Sequence, residues 1–139
     1  GRSDDTLKVA GKRVGPAEVE SAAVGHGAVQ EAAAIGIPHE VKGESIVVLC
    51  ILKPGQTPES DLAEAVRREV GRNLGSALRP ETVHFVRELP KTRNAKIMRR
   101  VIRAAYLGLP TGDVTALENP AAVEIVAELG RSVRGGDDG

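Results

Sequence analysis

The chain has 139 residues, 41% apolar and 27% charged, the balance of a soluble globular domain rather than of a disordered, collagen-like or membrane-spanning chain. Nineteen Lys and Arg cancel nineteen Asp and Glu, so no global field draws the protein to nucleic acid or anionic lipid, and any electrostatic site must be local. A lone Cys50 allows no internal disulfide, and with no Trp, one Phe and one Tyr the core must be built from Val, Ile, Leu and Ala.

Gly1-Arg2-Ser3-Asp4-Asp5 opens the chain without a Met start, which reads as a piece of something longer. These polar residues are unlike a secretory signal, and no run approaches the roughly 20 apolar residues of a bilayer span. The expected compartment is therefore the cytoplasm, with no membrane partner. Residues 6–14 (TLKVAGKRV) alternate apolar and basic around Gly11, which suits two short strands and a tight turn. Pro16 then opens PAEVESAAVGH, where Pro at a first helical position and early Glu18 and Glu20 predict a helix that Gly25 or Gly27 would stop.

Two strands are expected next, Val29 to Ile37 and Ser45 to Lys53; the second, SIVVLCILK, is β-branched enough to be buried. After Thr57-Pro58, Leu62, Val66, Val70 and Leu74 recur every four residues, one face of a helix whose other face is charged. Glu81 to Val86 predicts a third strand in this part of the chain. Met98, Val101, Ile102, Ala105 and Tyr106 form a helical stripe ending before Gly108. Asn119-Pro120 caps and starts AAVEIVAELG, whereas residues 131–139 have nothing to bury and are expected to be a disordered tail. The order hairpin, helix, two strands, helix, strand, helix predicts one α+β domain over 1–130, a small mixed sheet with helices packed on it.

The strongest local anomaly is VRELPKTRNAKIMRRVIR, where Arg87, Lys91, Arg93, Lys96, Arg99, Arg100 and Arg103 face a single acid, Glu88. Pro90 begins a polar loop that reaches Lys96 just before the helix, so a long cationic side chain stands free to meet phosphate. A solvated helix face is the plain alternative, and the lack of stacking aromatics argues against single-stranded nucleic acid. Cys50 sits in an apolar run and reads as core; His26, His39 and His84 have no metal-ligand spacing. Gly11-Lys12 is followed by Arg13 where a Walker loop needs Ser or Thr, and G-x-G-x-x-G is absent.

Two segments taken together say more. GRSDDTLKVAGKRVGPAEVE (1–20) and LPKTRNAKIMRR (89–100) resemble the two signature motifs of the C-terminal domain of AMP-forming acyl-CoA synthetases, the acetyl-CoA synthetase branch in particular. AAAIGIPHEVKGESIVVLCILKPG also resembles that family's strand, Pro-His turn and strand, and GLPTGDVTALENPAA its tail. The resemblance implies a ligase with two half-reactions. A carboxylate and ATP give acyl-adenylate and pyrophosphate; CoA thiol then attacks the adenylate and releases AMP.

In this family the small domain rotates against a large N-terminal domain, its expected partner, between the two steps. By motif, Lys96 corresponds to the adenylation lysine on a loop over 89–100, Asp4 to the hinge over 1–5, and Gly11, in a hairpin over 6–15, to a close-approach glycine beside the pantetheine channel. Arg2 and Arg13 correspond to arginines near the nucleotide. Arg72, with Arg68 the other choice on the same helix, corresponds to a CoA-phosphate contact. ATP and CoA are then substrates, with Mg²⁺ bound mainly by the large domain, and the isolated chain is expected to be inactive. The resemblance further implies a protein acetyltransferase and a deacetylase acting on Lys96. One departure stands out: the family usually has Ser-Gly before the lysine, where this chain has Asn94-Ala95. The other reading is an isolated regulatory or binding module whose basic loop docks a protein or nucleic acid.

Overall fold

A computed structural model describes residues 6–136, which pack as two compact units dividing between Arg87 and Glu88. The sequence had suggested one domain. In the first unit, β1 (Leu7–Val9) and β2 (Lys12–Val14) pair antiparallel, with Leu7 opposite Val14. Their link is Ala10 and Gly11, with φ of 52° and 81°. Two positive φ values in a two-residue link mark a type I′ turn, whose twist matches that of the strands it joins. A Cβ built on Gly11 would meet no atom within 4 Å. What the turn itself asks of residue 11 is therefore a left-handed φ, not room.

The helix α1 (Pro16–Val24) starts on Pro as expected and buries Val19, Ala22 and Ala23. β3 (Val29–His39) and β4 (Gly43–Leu52) form the long antiparallel pair, and both run beyond their expected ends at the turn that joins them. Pro38 lies opposite Glu44 in that extension. It is tolerated because β3 is the edge of the sheet order β2-β1-β4-β3, where a missing N–H leaves no ladder bond unmade. The turn is closed by His39 Nδ1, which accepts from the N–H groups of Val41 and Lys42, each at 3.1 Å.

The helix α2 (Leu62–Leu74) buries Val66 and Val70 completely, as its four-residue repeat predicts. After a 3₁₀ turn at Ser76–Leu78, β5 (Thr82–Phe85) pairs parallel with β4 through Val47 to Cys50. Because β3 occupies one edge of β4, β1 (at Gly43) and β5 share the other. The sheet is thus mixed, as expected. Alternation along β4 sends Ile46, Val48 and Cys50 into the cluster formed with Val19, Ala23, Val66 and Val70. Ala32 and Ala34 of β3 line the same cluster; small side chains there compensate for the scarcity of aromatics by letting the layers approach. Burial pushes the Cys50 thiol up to about 12, so it is an inert core group.

In the second unit, α3 (Arg99–Leu107) buries Val101, Ile102, Ala104, Ala105 and Tyr106 and ends on Gly108 in the left-handed conformation. α4 (Ala121–Gly136) packs against it, with Ala122 and Val126 fully buried. α4 passes Gly130, where the sequence suggested that order would stop. The reason lies in side chains that reach across or along the helix: Arg134 Nη1 donates to the Tyr106 carbonyl at 2.6 Å, and Arg131 pairs with Glu124 and Glu128. The Tyr106 carbonyl belongs to the last turn of α3, where a guanidinium meets the negative end of the helix dipole.

Candidate functional site

The lysine loop is a tight hairpin. Lys91 bridges Ile97 antiparallel, the Met98 N–H donates to Pro90 O at 3.1 Å, and the Thr92 N–H donates to Lys96 O at 2.9 Å. Inside this ladder the Ala95 N–H donates to Thr92 O at 2.9 Å, closing a β-turn over 92–95. Ala95 then stands at φ 64°, the left-handed position that lets a three-residue link rejoin its strand. Lys96 follows immediately, its own N–H donating to Thr92 Oγ1 at 3.3 Å. Buried Leu89 and Pro90 anchor the base, whereas Arg93, Asn94, Ala95 and Lys96 are exposed. The fold therefore presents the lysine at the tip of a hydrogen-bonded turn, among cations on the same loop.

The Asn94-Ala95 departure falls on the one residue of this turn that most favours glycine. An L-residue in the left-handed region costs roughly 1–2 kcal/mol, part of which glycine forfeits through its freer unfolded state. Ala95→Gly should therefore stabilise the second unit slightly, by about 0.5–1 kcal/mol, visible as a higher urea midpoint with an unchanged slope.

The other expected site residues belong to the first unit or lie outside the described residues. Arg2 and Asp4, with the hinge over 1–5, lie outside them. Gly11 is at the apex of the β1–β2 turn, and exposed Arg13 on β2 stands directly opposite exposed Lys8 on β1. Arg72, exposed on α2, is held by Glu69 at 2.6 Å and lines an open cleft of about 530 Å³. Arg68 lines the same cleft, together with Ala65, Gly71, Ser76, Arg79 and His26. The fold thus joins both helix arginines to two further cationic or protonatable groups, Arg79 and His26, that spacing along the chain did not connect. Such a cleft can take a phosphate group.

Among the described residues, no group of three or more His, Cys, Asp or Glu stands together to hold a metal ion. Half-buried His84 has its pKa lowered by desolvation and favours the neutral form.

Residues 18–96 match the sequence profile described as AMP-binding enzyme C-terminal domain, a span that ends on Lys96 itself. The chain belongs to this family. It is 57% identical to the acetyl-coenzyme A synthetase of Methanothrix thermoacetophila over 124 residues, 89% of this chain but 19% of that protein. It is 49% identical to the 3-hydroxypropionyl-coenzyme A synthetase of Sulfurisphaera tokodaii, again over 89% of the chain and 19% of the relative. Among solved structures, acetoacetyl-CoA synthetase from Streptomyces lividans superposes with a TM-score of 0.79 at 25% identity, over 95% of this chain and 20% of that one. Brucella canis acyl-CoA synthetase gives 0.70 at 41% identity, over 76% and 19%.

The chain therefore spans about a fifth of the length of the relatives it matches. As a member of the family it is an α+β domain of the adenylate-forming ligases, as its signature segments suggested. The alternative, an isolated regulatory or binding module, finds no support in these likenesses.

Proposed function

We propose that this chain is the mobile C-terminal domain of an AMP-forming ligase that makes acyl-adenylate from a short-chain carboxylate and ATP, then acyl-CoA with release of AMP. The observation that carries this reading is the 57% identity to an acetyl-coenzyme A synthetase across 89% of the chain. In the first step the Lys96 ammonium meets the attacking carboxylate and the α-phosphate, stabilising negative charge as it develops. Arg2 and Arg13 add positive charge near the nucleotide, and Asp4 serves as the hinge on which the domain turns. In the second step the Gly11 turn lies beside the pantetheine arm of CoA, while Arg72 holds a CoA phosphate. Mg²⁺ accompanying ATP, and the acyl pocket, belong to the large N-terminal domain.

The exposure of Lys96 also supports its role as a cytoplasmic regulatory target. A protein acetyltransferase would remove the charge that adenylation needs, and a deacetylase would restore it.

Gly11→Leu in the full-length ligase tests the proposed division of labour. Since a Cβ at residue 11 meets open space, the domain pays only the cost of a left-handed leucine, roughly 1–2 kcal/mol. Thioester formation from supplied acyl-adenylate should fall at least tenfold as the side chain fills the channel, with pyrophosphate exchange within about twofold of wild type. An unchanged thioester step would remove Gly11 from the CoA path.

A further inference from the structure

The first arm of the lysine loop has a second neighbour besides Ile97. The segment after α3 returns alongside it: Thr92 bridges Leu117 antiparallel, and the Glu118 N–H donates to Lys91 O at 2.9 Å. Arg100 ties this returning segment to α3, its Nη1 donating to Thr111 O at 2.6 Å and its Nη2 to Asp113 O at 3.2 Å. At its end stands Asn119. The side-chain Oδ1 accepts from the Lys91 N–H at 2.9 Å, and Nδ2 donates to Leu89 O at 2.9 Å and to Glu88 Oε1 at 3.4 Å.

One side-chain amide thus serves the two backbone groups that flank Pro90, as a peptide unit of a neighbouring strand would. Pro90 has no N–H of its own with which to help fix this stretch. By its place before Pro120, Asn119 is expected to cap α4. Its amide is instead turned onto the lysine loop, in an orientation the partners dictate, since only N–H₂ can face a carbonyl and only oxygen an N–H.

We propose that Asn119 is a positioning residue for Lys96: it clasps the base of the loop so that Lys91 and Thr92 are fixed, and Thr92 in turn fixes Lys96 through its carbonyl-facing ladder and its hydroxyl. This rests on the reading of Lys96 as the adenylation lysine. The chain of contacts is short and runs through backbone: Asn119 to Lys91, Thr92 to Lys96 N and O. Releasing the clasp leaves the ammonium present but displaced, and a displacement on the order of 1 Å at a reacting group can cost about 10²-fold in rate.

The test uses the full-length ligase, with pyrophosphate exchange and thioester formation from supplied acyl-adenylate read separately. Asn119→Ala should lower exchange at least tenfold and leave thioester formation within about twofold. On a Lys96→Ala background the same change should produce no further loss of residual exchange, because the clasp acts only through the lysine. Asn119→Asp, which keeps the acceptor for Lys91 but turns a carboxylate oxygen onto the Leu89 carbonyl and the Glu88 carboxylate, should likewise lower exchange at least tenfold while sparing thioester formation, and it carries the test if the alanine variant folds poorly.

Wild-type exchange in both variants, equal losses in the two half-reactions, or an additive loss on the Lys96→Ala background would each overturn the clasp. If Lys96→Ala itself spares exchange, the reading of the lysine fails first; if Lys96→Ala abolishes exchange and the Asn119 variants do not, only the clasp fails.

Discussion

Lys96→Ala in the full-length ligase should lower pyrophosphate exchange by about 10³-fold while thioester formation from supplied acyl-adenylate stays near wild type. The size follows from removing a charged donor aimed at the negative charge of the adenylation transition state; loss of a single neutral donor in such a site already costs about 10²–10³. The asymmetry follows from the proposed rotation, since the loop is needed at the reacting atoms only in the first step. Acetylation should reproduce the variant: enzyme whose Lys96 is shown by mass spectrometry to carry the acetyl group should lose exchange in the same proportion, and deacetylation should restore it. Equal loss in both half-reactions would refute the division, and full exchange by fully acetylated enzyme would refute the switch.

Gly130→Ala should be the most damaging small substitution for stability. Where α4 passes the end of α3, a Cβ at residue 130 would overlap the Tyr106 carbonyl group, standing 2.7 Å from its carbon and 3.0 Å from the Tyr106 Cα. These are backbone atoms of a helix, so relief requires separating α3 from α4 rather than turning a side chain. The same carbonyl receives Arg134, and any separation also breaks that bond. A loss of about 3 kcal/mol is expected, at the upper end of overpacking costs, read as a lower urea midpoint. Gly27→Ala serves as the control: a Cβ there meets nothing within 4 Å, and the change should stay within about 0.5 kcal/mol of wild type. Similar midpoints for the two variants would show that the helices do not need the close approach.

The elements of this fold were legible because each carries its own local pattern. The four-residue repeat of Leu62, Val66, Val70 and Leu74 can bury one face only as a helix, and the β-branched run around Val47 and Val48 can be satisfied only in a sheet covered on both sides. The tight turn was equally local, since Gly11 between short alternating runs supplies the left-handed conformation that a short link between strands needs. The lysine was legible too, by its motif and its place in a polar loop before a helix.

Partnerships were not legible. Nothing in the strand sequences says that β1 and β5 share one edge of β4, because pairing is chosen by which apolar faces can be covered together once α1 and α2 are in place. The cleft shows the same limit. Arg68 and Arg72 stood out as neighbours on a helix, but His26 and Arg79 join them only because the chain folds back from both directions.

In the second unit the limits are sharper. Residues 131–136 carry no apolar stripe, yet α4 continues through them because Arg134 reaches the Tyr106 carbonyl on α3. Asn94-Ala95 could be seen as a departure from the family pattern, but its physical meaning, a left-handed alanine beside the lysine, appears only in the backbone. Asn119 read as a helix cap and became a clasp because the backbone groups flanking Pro90 lay within its reach. By itself, then, the sequence determined the elements, the family motifs and the lysine, since periodicity and turn chemistry act over a few residues. Tertiary structure alone decided strand order, the cationic cleft and the support of the lysine loop. Those depend on hydrogen bonds and burial between residues far apart in the chain, where no local pattern records the partner.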